Sequence, residues 1–334
     1  YRDHHLSSLV ARYRSAEPLN GKVFNALISK IRGKSRLPSD RRLLVFSPHP
    51  DDDVISMGGV LAKLQENGNR ITVAYQTSGN IAVFDHDVRR YLDFTERASG
   101  LLGPEHAFPE ETVRRILEFL DSKQPGQVDL PEIQALKRAI RESEAVSALQ
   151  TLGLPREAAR FLDMPFYRTG MVKKDPIGEE DVRVVEELLE EVEPEIVFAA
   201  GDYSDPHGTH RMCRQAIEQA LERWSGEPPE VWLYRGAWEE WSVTEATVLV
   251  PMSRHEMRRK ILAIFKHQSQ KDRAPFPGPD EREFWQRVED RNTATAHRLE
   301  ALGLPAYGAM EAYVVEREGV RVENPEVPTG SLGD

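Results

Sequence analysis

Residues 47–54 read SPHPDDDV, a histidine and three consecutive aspartates set behind the apolar run LLVF, and residues 201–210 read GDYSDPHGTH, with His207 and His210 three apart. Neighbouring carboxylates repel and raise one another's pKa unless a cation neutralises them. Acids are also favoured at a helix N-terminus, and a histidine pair can cap a helix or make surface hydrogen bonds, so each stretch alone has an ordinary structural explanation. Taken jointly, each supplies what the other lacks. A catalytic zinc takes about three protein ligands from His and Asp or Glu and keeps one position open. His49, Asp52 and His210 meet that requirement. Asp51 is then a carboxylate free to take a proton from water at the metal, and His207 is placed to protonate a leaving amine or to stabilise an oxyanion.

These residues can meet only if the elements around them bring the two loops to one place. LLVFS (43–47) is a buried-type strand, the following VISMGGVLAKLQENG carries apolar residues at helical spacing and closes at Gly68, and ITVAYQ (71–76) is a second strand. That is a βαβ unit, which demands a right-handed parallel crossover. EIVFAAG (195–201) is a further strand behind the acidic helix GEEDVRVVEELLEEV, whose charges read as a solvated face, and EVWLYRG and ATVLVP are two more. The expected fold is α/β: a Rossmann-like three-layer sandwich with a mostly parallel sheet and a helical insertion, about residues 81–139, near the active site. In such sheets ligands collect outside the carboxyl ends of the strands, where both loops lie.

The chain has 334 residues and a net charge of −11, which argues against general nucleic-acid binding, and no apolar run approaches the roughly 20 residues of a membrane span. Cys213 is its one cysteine, so any metal must use His and carboxylate ligands; without a signal-peptide pattern, a cytoplasmic location is expected. Residues 1–42 carry ten Lys and Arg against three Asp and Glu and begin at Tyr1. They read as a basic arm or linker from a longer chain, the other reading being a disordered arm on a complete protein, and residues 43–334 as the catalytic domain.

PHPDDD after the first strand, RESE followed by ALQTLG, and PHGTH after a later strand resemble, from about residue 43 to 315, the PIG-L/LmbE-like family of zinc-dependent N-acetylglucosaminyl deacetylases. The resemblance implies zinc at His49, Asp52 and His210, Asp51 as general base, His207 at the tetrahedral intermediate, and a substrate-binding arginine in an Arg-x-x-Glu helix, here Arg141 and Glu144. Asp53 departs from the glutamate usual there. The implied cofactor is Zn2+, with Fe2+, Co2+ or Mn2+ as other divalent occupants. The implied reaction removes the N-acetyl group of an N-acetylglucosamine-type sugar with zinc-bound water. Two other classes stay open: a metal hydrolase of a different small-molecule bond, and a non-catalytic sugar-sensing domain. The linker and AYQTSGNIAVFDHD resemble a subgroup fused behind a glucosamine-6-phosphate deaminase-like domain, and a homo-oligomer is a further open expectation.

Ser78, Asn80 and Asp205 join Asp53, Arg141 and Glu144 as candidates for contact with substrate or for support of the ligands, an ordinary turn being the alternative for the TSGN loop. Asp85, His86 and Asp87 read as a solvated loop, reach into the cleft being the alternative; His267 in KHQSQ caps the helix or lines the pocket and is read as a structural or supporting residue; GAWEEW is either an aromatic platform or packing.

Overall fold

The computed structural model describes residues 1–103, 107–201, 203, 208–235, 239–271 and 282–316. In chain order the elements are α1 (Ser7–Arg12), α2 (Ala16–Lys30), β1 (Arg42–Ser47), α3 (Asp52–Glu66), β2 (Arg70–Tyr75), α4 (Asp85–Leu102), α5 (Glu110–Ser122), α6 (Pro131–Thr151), β3 (Ala159–Phe161), α7 (Glu179–Val192), β4 (Ile196–Ala200), α8 (Thr209–Arg223), β5 (Glu230–Tyr234), β6 (Val248–Met252), α9 (Arg254–Ile264), α10 (Phe284–Ala301) and β7 (Ala309–Glu316).

Leu43, Leu44, Val45 and Phe46 are all fully buried, as a strand covered on both faces requires. Alternation along β1 sends Leu43 and Val45 into one core with Val60, Leu61 and Leu64 of α3, and Leu44 and Phe46 into a second core with Val182, Val185 and Leu189 of α7. The sheet has seven strands in the order β3-β2-β1-β4-β5-β7-β6. β1 pairs in parallel with β2 on one side and β4 on the other, so the strand order reverses between β1 and β4. Only β7 runs antiparallel to its neighbours, β5 and β6. This is the expected α/β sandwich with a mostly parallel sheet, and the reversal point is where a cleft opens.

Two strands have no counterpart in the sequence reading. β3 spans three residues, too few for a visible pattern. β7 contains Glu311, a fully buried acid inside a central strand. Its carboxylate accepts hydrogen bonds from the backbone N–H of Gly59 (2.9 Å) and Val60 (2.8 Å), from Lys260 Nζ (2.7 Å) and from the Tyr313 hydroxyl (3.0 Å). Gly59 and Val60 follow Met57, where α3 kinks (φ −135°, ψ 20°) and its hydrogen-bond ladder is interrupted. Glu311 therefore caps the second half of α3 from across the sheet. A side chain at Gly59 would displace Met252, since a Cβ would stand 2.1 Å from Met252 Sδ.

Helices α4 and α5 and the start of α6 bury a small core of their own, Val88, Leu92, Ile116, Leu120 and Ile133. α6 runs on from the segment read as an insertion to Thr151 and carries Arg141 and Glu144. Asp85, His86 and Asp87 form the first turn of α4 rather than a solvated loop. Asp85 is held by Lys123 (2.9 Å) and Lys137 (2.7 Å), and Asp87 by Arg90 (2.9 Å). In the first 42 residues α2 buries Leu19, Lys30 Nζ donates to the Val243 carbonyl (2.9 Å), and the Arg32 N–H donates to the Leu249 carbonyl (2.8 Å), so this segment packs along the β6 side of the sheet. Among the described residues no helix is long and apolar enough to cross a membrane.

Candidate metal centre

β1 delivers its chain into the tight turn Pro48–Asp51, in which the Asp51 N–H donates to the His49 carbonyl at 2.8 Å, and α3 begins at once with Asp51 as its N-cap residue. Asp52 in the first turn points back at His49: its Oδ2 lies 2.9 Å from the His49 N–H and 3.1 Å from His49 Nδ1. From the other side of the reversal point α8 starts at Thr209, and His210 in its first turn places Nε2 3.2 Å from the same Asp52 oxygen. The donor atoms of His49, Asp52 and His210 all lie within 4.8 Å of one another, and this is the one such group of three among the described residues. Donors of a tetrahedral zinc, each about 2.0–2.1 Å from the ion, stand roughly 3.3 Å apart, so the set fits a divalent cation of the nitrogen- and oxygen-binding kind. Asp52 and His210 are buried, while the His49 side chain keeps 23 % of its surface exposed, which leaves the centre open on that side. Burial pushes the Asp52 carboxyl up, but the two facing imidazoles outweigh it and hold it well below the usual carboxylate range.

Asp51, the neighbour of Asp52 in the chain, pairs with α6. Its Oδ2 pairs with Arg141 Nη2 at 3.2 Å, and Arg141 is almost fully buried, with Nε and Nη1 lacking hydrogen-bond partners. Three residues on, Glu144 accepts two hydrogen bonds at 2.7 Å from Ser269, one from its N–H and one from its hydroxyl. Burial raises the Glu144 pKa against the pull of Arg141 and Ser269. RESE and KHQSQ are thus one unit, in which Arg141 holds Asp51 while Glu144 anchors the turn that carries His267. His267 is buried, has no hydrogen-bond partner on either ring nitrogen, and lies in the fields of Asp51 and Arg141; burial pushes its pKa down to about 4, so its imidazole is neutral.

The TSGN loop fixes the geometry from a third side. Thr77 hydrogen-bonds the Pro48 carbonyl through its hydroxyl at 2.7 Å. Gly79 (φ +61°) must be glycine, because a Cβ would meet Arg141 Nε and Pro50 Cδ at 3.0 Å. Ser78 is buried, and the Asn80 side-chain oxygen is buried without a hydrogen-bond partner.

Asp53 stands apart from the metal candidates. It is fully buried against the sheet, where its Oδ2 accepts from the Tyr75 hydroxyl at 3.2 Å and its own N–H donates to Ser47 Oγ at 3.1 Å. Burial pushes its pKa up to about 7. It supports the loop, and the shorter acid reaches its partners there. Asp205 and His207 lie outside the described residues. Trp241 of GAWEEW is core, its indole donating to the Leu233 carbonyl at 3.0 Å, while residues 236–238 lie outside the described ones. Tyr167 escaped the sequence reading. Its ring meets His49 edge-on, centroids 6.2 Å apart. It follows β3, too short a strand to have flagged its neighbour.

Comparison with known proteins agrees with this arrangement. The chain is 43 % identical over 335 residues to a "glucosamine-6-phosphate deaminase-like protein" of Bacteroides thetaiotaomicron, covering 94 % of this chain and 50 % of that one. It is 28 % identical over 130 residues to a diacetylchitobiose deacetylase of Thermococcus kodakarensis, covering 33 % of this chain and 49 % of that one. The chain spans about half the length of these curated relatives. Among solved structures it resembles the N,N'-diacetylchitobiose deacetylase of Pyrococcus horikoshii (TM-score 0.50, 17 % identity, 83 % of this chain and 84 % of that one). It resembles equally GalB, the 4-carboxy-2-hydroxymuconate hydratase of Pseudomonas putida (TM-score 0.50, 14 % identity, 84 % and 98 %), so at this distance the likeness speaks for the fold alone. Residues 44–221, just over half of the chain, match the family described as GlcNAc-PI de-N-acetylase, and the chain belongs to this PIG-L family.

Proposed function

We propose that this chain is a metal-dependent hydrolase, with zinc as its metal, that removes the N-acetyl group from an N-acetylglucosamine-type amino sugar or a derivative of one. The observation that carries the reading is the convergence of His49, Asp52 and His210 beside a separate carboxylate, Asp51, that is oriented by its own buried arginine. Family membership and the deacetylase named among the relatives support the same reaction.

His49, Asp52 and His210 would hold a divalent cation, which would supply Lewis-acid chemistry at the acyl group and lower the pKa of water there. The protein's own residues supply positioning and proton transfer. Asp51, fixed by Arg141, takes the proton of the attacking water and returns it to the departing nitrogen, so that acetate and a free amine leave. Arg141 keeps the carboxylate pointed into the cleft, and Thr77 and Gly79 hold the loop and the guanidinium in register. His207, assigned by the family pattern, stabilises the developing oxyanion. The name of the Bacteroides relative, about twice as long as the stretch it shares, fits an amino sugar or its phosphate as substrate class and a deaminase-like partner domain.

The test is acetate release from a panel of N-acetylglucosamine derivatives, the 6-phosphate and diacetylchitobiose among them, with metal content measured alongside. Acetate from one member at one metal per chain is the expected result; a loaded chain that releases none would refute the deacetylase assignment.

A further inference from the structure

Between Tyr167 and α7 the chain reads RTGMVKKDPIG, three basic residues against one acid. The Asp175 N–H donates to the Phe166 carbonyl at 3.2 Å, which folds this loop back on itself and lays Lys174 across Tyr167, its ammonium 3.6 Å from the ring centroid. Tyr167 in turn meets His49 at 6.2 Å between centroids, so the ammonium stands no more than about 10 Å from the His49 imidazole. The centre opens on the His49 side, and Lys174 flanks that side. Lys174 is half-buried, and its ammonium donates to the Met171 carbonyl at 2.6 Å. An ammonium carries three donors and, on losing solvent, ordinarily reaches for water or an acid. Lys63, Lys123, Lys137 and Lys260 each meet a carboxylate where they are buried. Arg168 of the same loop is taken by Asp163 at 3.3 Å. Burial pushes the Lys174 pKa down to about 8, and among the described residues no carboxylate offsets this. An anion is what the arrangement lacks, and one arriving with the substrate would complete it.

We propose that Lys174 binds an anionic group of the substrate, a phosphate monoester on the far side of an amino-sugar ring whose acetamide lies at His49, Asp52 and His210. The proposal rests on the deacetylase reading and deepens it, narrowing the substrate class to an N-acetylhexosamine 6-phosphate. With covalent bonds of about 1.5 Å, the 6-phosphate of a pyranose lies roughly 8–10 Å from the acyl carbon on its 2-nitrogen, a span that fits between the metal candidates and Lys174. A lone ammonium is a point charge with rotatable donors, which suits the tetrahedral oxygens of a phosphate. Arg141, the buried cation on the other side, is held by Asp51, so Lys174 is the specificity-determining residue for this charge.

The test compares kcat/KM for N-acetylglucosamine 6-phosphate and N-acetylglucosamine in the metal-loaded chain, in Lys174→Met and in Lys174→Arg. A hydrogen bond to a charged group is worth about 10–100-fold in binding. The unaltered chain is therefore expected to prefer the 6-phosphate by about 10–100-fold, Lys174→Met to lose most of that preference through KM, and Lys174→Arg to keep most of it. The preference is a ratio within one protein, so a general loss of folded chain cancels and a merely structural lysine leaves it unmoved. Equal kcat/KM for the two sugars in the unaltered chain, or a ratio unchanged in Lys174→Met, would overturn the proposal while leaving deacetylation standing. If no N-acetyl sugar is cleaved, the functional reading fails on its own, and calorimetric titration of both sugars and of inorganic phosphate into the metal-loaded chain and Lys174→Met decides the site. Tighter binding of the 6-phosphate than of the neutral sugar, lost in Lys174→Met, sustains it. No difference between the sugars, a difference that survives Lys174→Met, or binding of inorganic phosphate alone rejects it.

Discussion

Replacing Glu311 by alanine tests how the fold holds the catalytic helix in place. Glu311 and Lys260 are both fully buried, and the carboxylate serves four donors at once: Lys260 Nζ at 2.7 Å, the N–H groups of Gly59 and Val60 at 2.9 and 2.8 Å, and the Tyr313 hydroxyl at 3.0 Å. Removing one partner of a buried ion pair costs about 3–5 kcal/mol, because the other charge stays buried alone. Each backbone N–H left without an acceptor adds about 1–3 kcal/mol, although terms that share one carboxylate do not sum in full. Glu311→Ala is therefore expected to cost about 4–6 kcal/mol, a large share of the roughly 5–15 kcal/mol of a folded domain. Urea unfolding followed by tryptophan fluorescence reads this as a lowered midpoint. Glu311→Gln keeps an acceptor for the α3 amides and costs less. The double replacement of Glu311 by leucine and Lys260 by methionine removes both charges and recovers most of the charge penalty. A Glu311→Ala protein within about 1 kcal/mol of the unaltered chain would refute the claim that this carboxylate caps the kinked helix.

Other consequences follow from the same geometry. Gly79→Ala forces a side chain onto a left-handed residue and against Arg141, so kcat should fall by more than tenfold with metal content unchanged; a rise in KM alone would contradict this. Gly59→Ala drives a methyl into Met252 and should destabilise by about 1–3 kcal/mol or more in thermal unfolding. Asp85 responds to acid. Burial pushes its carboxyl up, but the hydrogen bonds from Lys137 and Lys123 outweigh that and hold its pKa below the ordinary value. A depressed carboxylate pKa contributes stability that is present above the unfolded value near 3.9 and is lost as the pH falls through the folded value. Hydrogen exchange in α4 and α5 should therefore quicken, relative to the rest of the chain, below about pH 4, and Asp85→Asn should remove that difference.

The first βαβ unit and the strand before His207 were legible because their apolar runs are local: LLVF and ITVAY lie either side of a helix of ordinary spacing. The pairing of the HPDDD loop with His210 was legible from topology, since both follow parallel strands at one end of the sheet. What escaped the sequence depends on partners far along the chain. β7 hides behind Glu311, an acid that no local pattern admits to a central strand and that only Lys260 and the α3 amides explain. Asp85–Asp87 looked like a solvated loop because the lysines that gather Asp85 lie 38 and 52 residues away. Tyr167 reaches the site through tertiary packing alone; KHQSQ points to His267, but a lone histidine carries no spacing that shows its imidazole buried and unpaired.

In the proposed reaction Asp51 is the proton-transferring carboxylate beside a cation held by His49, Asp52 and His210. The most direct test of this role is the rate of acetate release by Asp51→Asn, measured at equal metal content. One metal per chain and a rate lowered by about 10²–10⁴-fold are expected. Turnover near that of the unaltered chain, with the metal retained, would contradict it.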